Sequence, residues 1–256
     1  MDKIELNRYK RHILLKEIGG SGQNILKNSC ITMIGAGGLG SIILYYLAAA
    51  GVGNIKIVDN DVVSLSNLQR QILFKNEDLG KKKVLAAKKN LLSLNPLINI
   101  EIYDNKFTEK NYIKYINGCN LLIDGTDNFK SKSAISKVSF SERIPLVYGG
   151  LSQWEGQICV FDPKSDSICF GCIFPNDPGQ EFEESCSNLG IIGPTVGVIG
   201  SLMSAEVIKF LTSSGKPIMN KILTYDCLQG EFQEFCVDKV QSCKICSELN
   251  KIKNWK

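Results

Sequence analysis

The amino-acid sequence predicts an α/β fold: a Rossmann-like, mostly parallel sheet with helices on both faces and an antiparallel C-terminal extension. Short apolar runs alternate with helical patterns as far as residue 150, which is typical of a parallel sheet covered on both sides. A glycine-rich turn follows the first of these runs. Beyond residue 150, strand-like segments follow one another with only one helix among them. We therefore expect a single domain over residues 1–256, with N-terminal helices at 1–29 and two halves at 30–150 and 151–256.

Each element is predicted from its apolar period and from the residues at its ends. Residues 5–28 form two helical stretches that Gly19, Gly20 and Gly22 interrupt. The helix at 39–50 ends at Gly51, and the helix at 81–94 ends before Pro96 because proline restricts the residue that precedes it. The predicted strands are 30–34, 54–58, 98–103, 120–124, 146–149, 157–161, 221–225 and 231–237, and the last helix is 196–211.

The composition excludes several classes of protein. With 44% hydrophobic and 22% charged residues, the chain is neither disordered, collagen-like nor a coiled coil. A net charge of +4 without a dense Lys/Arg cluster does not indicate nucleic-acid binding. The longest apolar run, 42–50, is too short to cross a bilayer, so we expect no membrane insertion.

Cysteine and histidine usage narrows the chemistry. The N-terminal ten residues lack the apolar core of a signal peptide, so the ten cysteines predict a reducing, cytoplasmic location. In that setting the thiols are expected to bind metal or to react, rather than to form disulfides. His12 is the sole histidine, which disfavours mechanisms that need a histidine base or several histidine ligands.

The glycine-rich turn has the spacing of a nucleotide-binding loop. Gly35, Gly37 and Gly40 fit the pattern GxGxxG between a strand and a helix, where glycines let the backbone approach a phosphate. Asp59 ends the next strand, 19 residues after Gly40, where a carboxylate holds a ribose hydroxyl in such folds. The alternative is a tight turn that binds nothing. The pattern itself leaves both a dinucleotide and ATP open.

A polar segment, residues 59–71, follows the second predicted strand. Its Asn67 and Arg70 side chains could reach over a bound phosphate, and Lys83 opens the next helix. Asp127 and Asn128 come just after the strand at 120–124. Two cations and an acid at the carboxyl ends of parallel strands would suit a triphosphate and its Mg²⁺. For each residue alone, a solvated surface charge is the competing interpretation.

Two CxxC pairs, Cys169/Cys172 and Cys243/Cys246, predict a metal site. Thiolates at this spacing can face one ion, and two pairs complete a closed tetrahedral zinc site. The zinc would clip the C-terminal part of the chain onto the segment after the sheet. A thioredoxin-like redox role is the alternative, although it requires one pair to open a helix after a strand.

These segments together resemble the ThiF/MoeB/HesA family of adenylyltransferases, bacterial relatives of the ubiquitin-activating enzymes. The resemblance is carried by residues 35–41, 59–71, 80–84 and 124–128 and by the paired CxxC motifs. It extends from Arg8 to about Cys246, nearly the whole chain. The run SLSNLQRQ within 59–71 is far more specific than the glycine loop.

The resemblance implies that ATP occupies the fold, with Gly38 against the phosphates, Asp59 on the ribose and Asp127 linked to Mg²⁺. It also implies that Arg11 reaches into the site of a neighbouring subunit. The nucleotide-binding residues so implied are Gly38, Asp59, Ser66, Asn67, Leu68, Gln69, Arg70, Lys83, Asp127 and Asn128. The candidate catalytic residues are Arg11, Arg70, Lys83, Asp127 and Cys186.

Two of these roles have competing interpretations. The sequence alone favours placing Arg11 on the solvent-exposed face of an amphipathic helix that also carries Arg8 and Lys10, and only the family resemblance favours the catalytic role. Cys186 lies in a polar stretch and matches the loop cysteine of the family, which takes part in sulfur transfer in the thiazole branch. Ser187-Asn188 replaces the Arg-Thr that commonly follows it there, and the neighbouring acids oppose thiolate formation.

The activity that the resemblance implies is adenylation of the C-terminal glycine of a ubiquitin-like sulfur carrier protein ending in Gly-Gly. It further implies a homodimer with ATP, Mg²⁺ and Zn²⁺, in which residues 151–256 carry the zinc and bind the carrier. A separate sulfur donor, such as a cysteine desulfurase or a rhodanese, is expected. An NAD-dependent oxidoreductase and a non-catalytic carrier-binding module of the same fold are the alternatives.

Overall fold

The computed structural model describes residues 1–176 and 189–247. Eight strands form one continuous sheet in the order β3-β2-β1-β4-β5-β6-β7-β8. The strands are β1 (Cys30–Ile34), β2 (Asn54–Val58), β3 (Asn99–Tyr103), β4 (Leu121–Asp124), β5 (Leu146–Ser152), β6 (Glu155–Phe161), β7 (Lys221–Asp226) and β8 (Glu231–Cys236). All eight predicted strands are confirmed to within three residues at each end.

The described helices are α1 (Lys3–Arg8), α2 (Lys10–Ile13), α3 (Gly19–Asn28), α4 (Gly38–Ala50), α5 (Lys83–Leu94), α6 (Ile113–Ile116), α7 (Phe129–Ser141), α8 (Phe170–Ile173) and α9 (Gly193–Thr212). Strands β1 to β5 pair in parallel, whereas β5 to β8 pair antiparallel. This arrangement confirms the predicted mixed sheet and its antiparallel extension.

Two separate apolar clusters cover the two faces of the central part of the sheet, whereas the edge strand β8 is exposed. Along β4, Leu121 and Ile123 belong to one cluster and Leu122 to the other, because successive side chains of a strand point to opposite faces. The first cluster includes residues of α4, α5 and α9, and the second includes residues of α7 and α8. The prediction of helices on both faces is confirmed.

The prediction for the N-terminal region was wrong in one respect. Gly19, Gly20 and Gly22 do not interrupt a helix, because α3 begins at Gly19 and continues through all three. Gly19 has a φ of +58°, which turns the chain into the helix. A Cβ at Gly22 would lie 3.0 Å from the Ile18 side chain and 3.7 Å from Thr212. Close packing against α9 thus outweighs the poor helix propensity of glycine.

Among the described residues, α9 is the helix long and apolar enough to cross a membrane by length and composition alone. Core helices of globular proteins pass the same test. Val196, Ile199, Met203 and Val207 of α9 lie in the first apolar cluster, together with residues of α4. The apolar character of α9 is therefore used, at least in part, to cover the sheet.

Asp78 holds the long connection between β2 and α5 in place. This carboxylate is fully buried and accepts hydrogen bonds from the Asn90 amide (3.0 Å), the Lys75 backbone N–H (3.1 Å) and Lys81 (3.4 Å). Asn90 also donates to the Leu73 carbonyl at 2.8 Å. Burial alone would raise the pKa of Asp78, but these hydrogen bonds hold the pKa below its usual value. The connection is thereby fixed to α5.

We expect Asp78→Asn to lower the free energy of unfolding by about 2 kcal/mol, because the substitution weakens three hydrogen bonds to a buried charge. Since the folded-state pKa lies below the unfolded value, the carboxylate stabilises the fold above the unfolded pKa. That contribution disappears as pH falls through the folded pKa. Urea unfolding between about pH 7 and about pH 3 measures both effects.

The matched control is Glu77→Gln, which removes an exposed carboxylate one residue away. We expect it to change the unfolding free energy by less than about 0.5 kcal/mol. Equal effects of the two substitutions would contradict the bracing role of Asp78.

Candidate active site

The glycine loop lies where the sheet order reverses, between β1 and β4. Ligands of open α/β sheets bind in the crevice beyond the carboxyl ends of strands at such a switch point. Gly35 has a φ of +89°, and a Cβ there would stand 2.9 Å from the Gly125 carbonyl oxygen. Only glycine therefore lets the turn after β1 pack against the turn after β4. Helix α4 then begins at Gly38, so its N-terminal N–H groups face the crevice.

Asp59 connects this loop to the turn after β2. Its Oδ2 accepts a hydrogen bond from the Ala36 N–H at 2.7 Å, and its Oδ1 accepts one from the Asp61 N–H at 2.8 Å. Burial raises the pKa of this carboxyl, although both N–H donors oppose the shift. The side chain predicted to hold a ribose therefore lies at the glycine loop and also fixes the shape of that loop.

Lys83 is a buried cation at the same edge of the sheet. Its side chain is 6% exposed, and its Nζ lies 2.9 Å from Oδ2 of Asp61, which is 63% exposed. The Lys83 backbone N–H also donates to the Asp61 carbonyl at 3.0 Å. The lysine begins α5 as predicted, and its ammonium is held by an exposed carboxylate that a phosphate could displace.

The segment 64–71 forms a compact turn between these elements. The side chains of Ser64 and Asn67 bond each other's backbone across a short 3₁₀ helix (Leu65–Asn67). Arg70 donates to the Ser66 carbonyl at 3.2 Å, and its Cδ would lie 3.8 Å from a Cβ at Gly38. The structure thus brings Arg70 to the start of α4.

Gln71 is a residue of this site to which the sequence analysis assigned no role. Its side chain is 4% exposed, and its Oε1 is buried without a hydrogen-bond partner. Its Nε2 would lie 3.8 Å from a Cβ at Gly37. Leaving a buried amide unpaired costs about 1–3 kcal/mol. The signal in the sequence was its place at the end of SLSNLQRQ, but the missing partner is visible only in three dimensions.

The sequence patterns also did not predict the buried ion pair of Asp124 and Lys132, which lies beneath the crevice. Lys132 Nζ lies 3.3 Å from Asp124 Oδ2 and donates to the Gly149 carbonyl at 2.6 Å. The other oxygen of Asp124 accepts hydrogen bonds from the N–H and hydroxyl of Thr126. These contacts tie the end of β4 and the middle of β5 to α7 and fix the turn that leads to Asp127.

Asp127 and Asn128 follow this turn directly. Asp127 is exposed, and the Asn128 amide donates to its Oδ1 at 3.3 Å. Asn128 also accepts from the Ser131 N–H at 2.9 Å and is the N-cap of α7. Asp127 therefore lies just after the carboxyl end of β4, with an exposed carboxylate of the kind that binds hard cations such as Mg²⁺.

An open groove of about 490 Å³ adjoins the nucleotide segment. It is lined by Gln69, Gln153, Trp154 and residues 190–193, and the Trp154 side chain is 40% exposed. Gln69 donates to the Ile191 carbonyl at 3.4 Å, while Ile192 N–H donates to the Gln153 carbonyl at 3.2 Å. Gly193 packs against Gln69 and Arg70, so the groove lies beside the segment that carries Arg70.

Arg11 lies far from this crevice within its own chain. Its neighbour His12 bonds Gln23, and Gln23 donates to the Ala50 carbonyl at the C-terminal end of α4. The glycine loop is at the other end of this 13-residue helix, about 20 Å away. Arg11 is exposed and has no hydrogen bond or ion pair with any residue in the described ranges.

The four cysteines of the CxxC pairs lie together, as predicted. Their Sγ atoms lie within 4.8 Å of one another, with Cys169 3.8 Å from Cys172 and 3.4 Å from Cys243. A tetrahedron with Zn–S bonds of about 2.3 Å has edges of about 3.8 Å. All four thiols are buried, so the cluster fits a closed structural zinc site rather than a separate redox pair. Cys186, the remaining candidate thiol, lies outside the described residues.

We expect about one zinc ion per chain by metal analysis of the purified protein. Cys172→Ser should abolish this zinc and lower the melting temperature by several degrees, because the cluster joins α8 to residues 243–246. Cys236→Ser is the matched control, since Cys236 is exposed and outside the cluster. Unchanged zinc content in Cys172→Ser would contradict this assignment.

Known proteins show the same sequence pattern and fold. The sulfur carrier protein adenylyltransferase of Thermus thermophilus is 38% identical over 96% of this chain and 92% of its own. The molybdopterin-synthase adenylyltransferase of Escherichia coli is 36% identical over 95% of this chain and 97% of its own. The crystal structure of E. coli MccB with ATP superposes with a TM-score of 0.81 at 23% identity, covering 94% of this chain and 75% of that one.

A match to the ThiF family covers residues 9–245, which includes the glycine loop, the polar segment and three of the four clustered cysteines. The chain belongs to the ThiF family.

Proposed function

We propose that the protein adenylates the C-terminal glycine carboxylate of a ubiquitin-fold sulfur carrier protein, with ATP as the AMP donor. The convergence of the glycine loop, Asp59, Arg70 and Lys83 at one crevice, beside an open groove, carries this proposal. The two adenylyltransferases that are more than a third identical to this chain support it. Asp59, Arg70 and Lys83 belong to the nucleotide-binding set that the family resemblance implies.

The reaction requires negative charge to be neutralised, and it requires no protein base. A carboxylate oxygen of the carrier attacks the α-phosphorus of ATP, the bond to the β-phosphate oxygen breaks, and pyrophosphate leaves with an acyl-adenylate remaining. Because the nucleophile is already an anion, the barrier is dominated by bringing negative charges together. Lys83 and Arg70 neutralise the triphosphate, and the N-terminal N–H groups of α4 bind its oxygens. His12 is not required.

Asp127 suits a magnesium ion, because its exposed carboxylate is presented beside the crevice by the rigid turn after β4. When bound, Mg²⁺ would offset negative charge on the departing pyrophosphate. Asn128 keeps Asp127 in place through the N-cap of α7.

The groove beside Gln69 is suited to an extended peptide tail. Gly190 and Gly193 line the groove without side chains that would fill it, and Trp154 borders it. A tail ending in Gly-Gly would pass along this groove and bring its carboxylate toward the phosphates. We propose that residues 151–256 bind the carrier through this route.

We further propose that the protein acts as a homodimer and that Arg11 serves the partner's site. Arg11 lies near the end of α4 that is remote from its own glycine loop. Apolar side chains next to it, Leu14 and Leu15, are 67% and 50% exposed. An interface formed there would bury them and let Arg11 reach across.

The carrier that the proposal favours is the small subunit of molybdopterin synthase, with a ThiS-like thiazole carrier as the alternative. A separate cysteine desulfurase or rhodanese would supply the sulfur in the cytoplasm. Zinc has a structural role in this scheme, and Cys186 is a candidate for a covalent step.

Exchange of radiolabelled pyrophosphate into ATP tests the proposal, with each purified Gly-Gly carrier added in turn. We expect exchange that depends on the carrier and disappears when its terminal glycine is removed. No exchange with any carrier would favour a non-catalytic binding module. Tight binding of NADH in place of Mg-ATP would favour an oxidoreductase.

We predict that Asp127→Ala reduces carrier-dependent exchange at least about 100-fold, because the metal loses its ligand. The melting temperature should change little, since Asp127 is exposed. Glu109→Ala, which removes another exposed carboxylate, is the control and should retain full exchange. Retained exchange in Asp127→Ala would refute the metal-binding role.

Arg11→Ala and Asp127→Ala chains, purified together as verified heterodimers, test action across the interface. If Arg11 serves the partner, one of the two sites is intact and about half of the exchange activity returns. If Arg11 serves its own chain, neither site is complete and the heterodimer stays inactive.

A further inference from the structure

The Gln71 side chain is nearly buried, and its amide makes no hydrogen bond with the described residues. The side chain is 4% exposed, yet its Oε1 has no partner and its Nε2 makes no hydrogen bond to any described residue. Gln23, a second buried glutamine, bonds the Ala50 carbonyl through Nε2 and His12 through Oε1. Buried polar groups in folded proteins are nearly always paired. No described residue accepts a hydrogen bond from the Gln71 Nε2, so this donor is available to an acceptor in the crevice.

The backbone holds Gln71 firmly beside the glycine loop. Its N–H donates to the Asn67 carbonyl at 2.9 Å, and its carbonyl accepts from the Phe74 N–H at 3.0 Å. Its Nε2 would lie 3.8 Å from a Cβ at Gly37, the N-cap of α4. The absence of a side chain at Gly37 leaves the amide a path to the crevice.

The groups around Gln71 all suit an anion. Arg70 lies against Gly38, the helix N-terminus presents unpaired N–H groups, and Gln71 adds an N–H donor that carries no charge. Because the Gln71 amide is neutral, it can bind a phosphate oxygen without forming an ion pair with the Asp61 carboxylate, which Lys83 already contacts.

We propose that Gln71 is a nucleotide-binding residue, whose Nε2 donates a hydrogen bond to a phosphate oxygen of ATP over Gly37. This inference rests on the proposed adenylation, because it assumes that the crevice holds a triphosphate. Oε1 would remain without a partner when ATP binds, so the gain in affinity comes from the Nε2 donor alone.

Gln71→Met tests the inference, since methionine fills the same space without a polar amide. The dissociation constant of Mg-ATP, measured by isothermal titration without carrier, should rise about tenfold through loss of a hydrogen bond to a charged group. The melting temperature without nucleotide should be equal to or above that of the unmodified chain, because an unpaired buried group has been removed. Gln23→Met is the matched control and should melt lower, since its amide is paired.

Gln71→Glu provides a second variant should methionine disturb folding. It keeps the length of the side chain but replaces the donor with a carboxylate that repels phosphate, so its dissociation constant should rise further than tenfold. An unchanged Mg-ATP affinity in both variants would overturn the inference and leave the adenylation proposal intact. A drop in melting temperature like that of Gln23→Met would show a packing role and also overturn it. If the unmodified chain failed to bind Mg-ATP, both proposals would fall.

Discussion

The two hydrogen bonds of the Asp59 carboxylate hold the site together. One fixes the Ala36 N–H of the glycine loop, and the other fixes the Asp61 N–H, whose carboxylate in turn holds the Lys83 ammonium. Three elements that are distant in sequence are thereby joined at the carboxyl ends of β1 and β2. A nucleotide that bonds Asp59 through its ribose would keep the same geometry while its phosphates replace Asp61 at Lys83. The site is therefore organised before its ligand arrives, which reduces the ordering that binding requires.

The antiparallel half of the sheet adds a groove and a cysteine cluster to the nucleotide-binding half. Strands β6 to β8 extend the sheet beyond β5, and the turn between β5 and β6 places Trp154 at the border of the groove. The cysteine cluster joins α8, after β6, to residues 243–246, so a metal there would hold the C-terminal region to the body of the sheet. The rigid parallel half and this extension meet at Gln69 and residues 191–193. That junction is where a peptide carboxylate and a nucleotide could meet.

Most of the fold was predictable because its signals are local. Buried parallel strands appear as short apolar runs, and the turn after β1 requires glycine in a left-handed conformation. The start of α3 was not predictable, since packing at Gly22 against Ile18 and Thr212 overrides helix propensity. The site was predictable where residues follow strand ends, as Asp59 and Asp127 do. The unpaired amide of Gln71 and the buried pair of Asp124 and Lys132 were not, because pairing and burial depend on contacts across the chain.

The side chains around this crevice fit ATP better than they fit a dinucleotide. Lys83 and Arg70 lie around the start of α4, and the exposed Asp127 follows the turn that Gly35 packs against. The two phosphates of a dinucleotide require neither two cationic side chains nor a carboxylate that can bind a metal ion, whereas a triphosphate with its Mg²⁺ uses both. The most direct test is a crystal structure of the protein grown with Mg²⁺, a non-hydrolysable ATP analogue and NADH in equal amounts. We expect a triphosphate over Gly37 and Gly38 with its ribose on Asp59. Nicotinamide in the crevice, or phosphates bound away from Lys83, would contradict it.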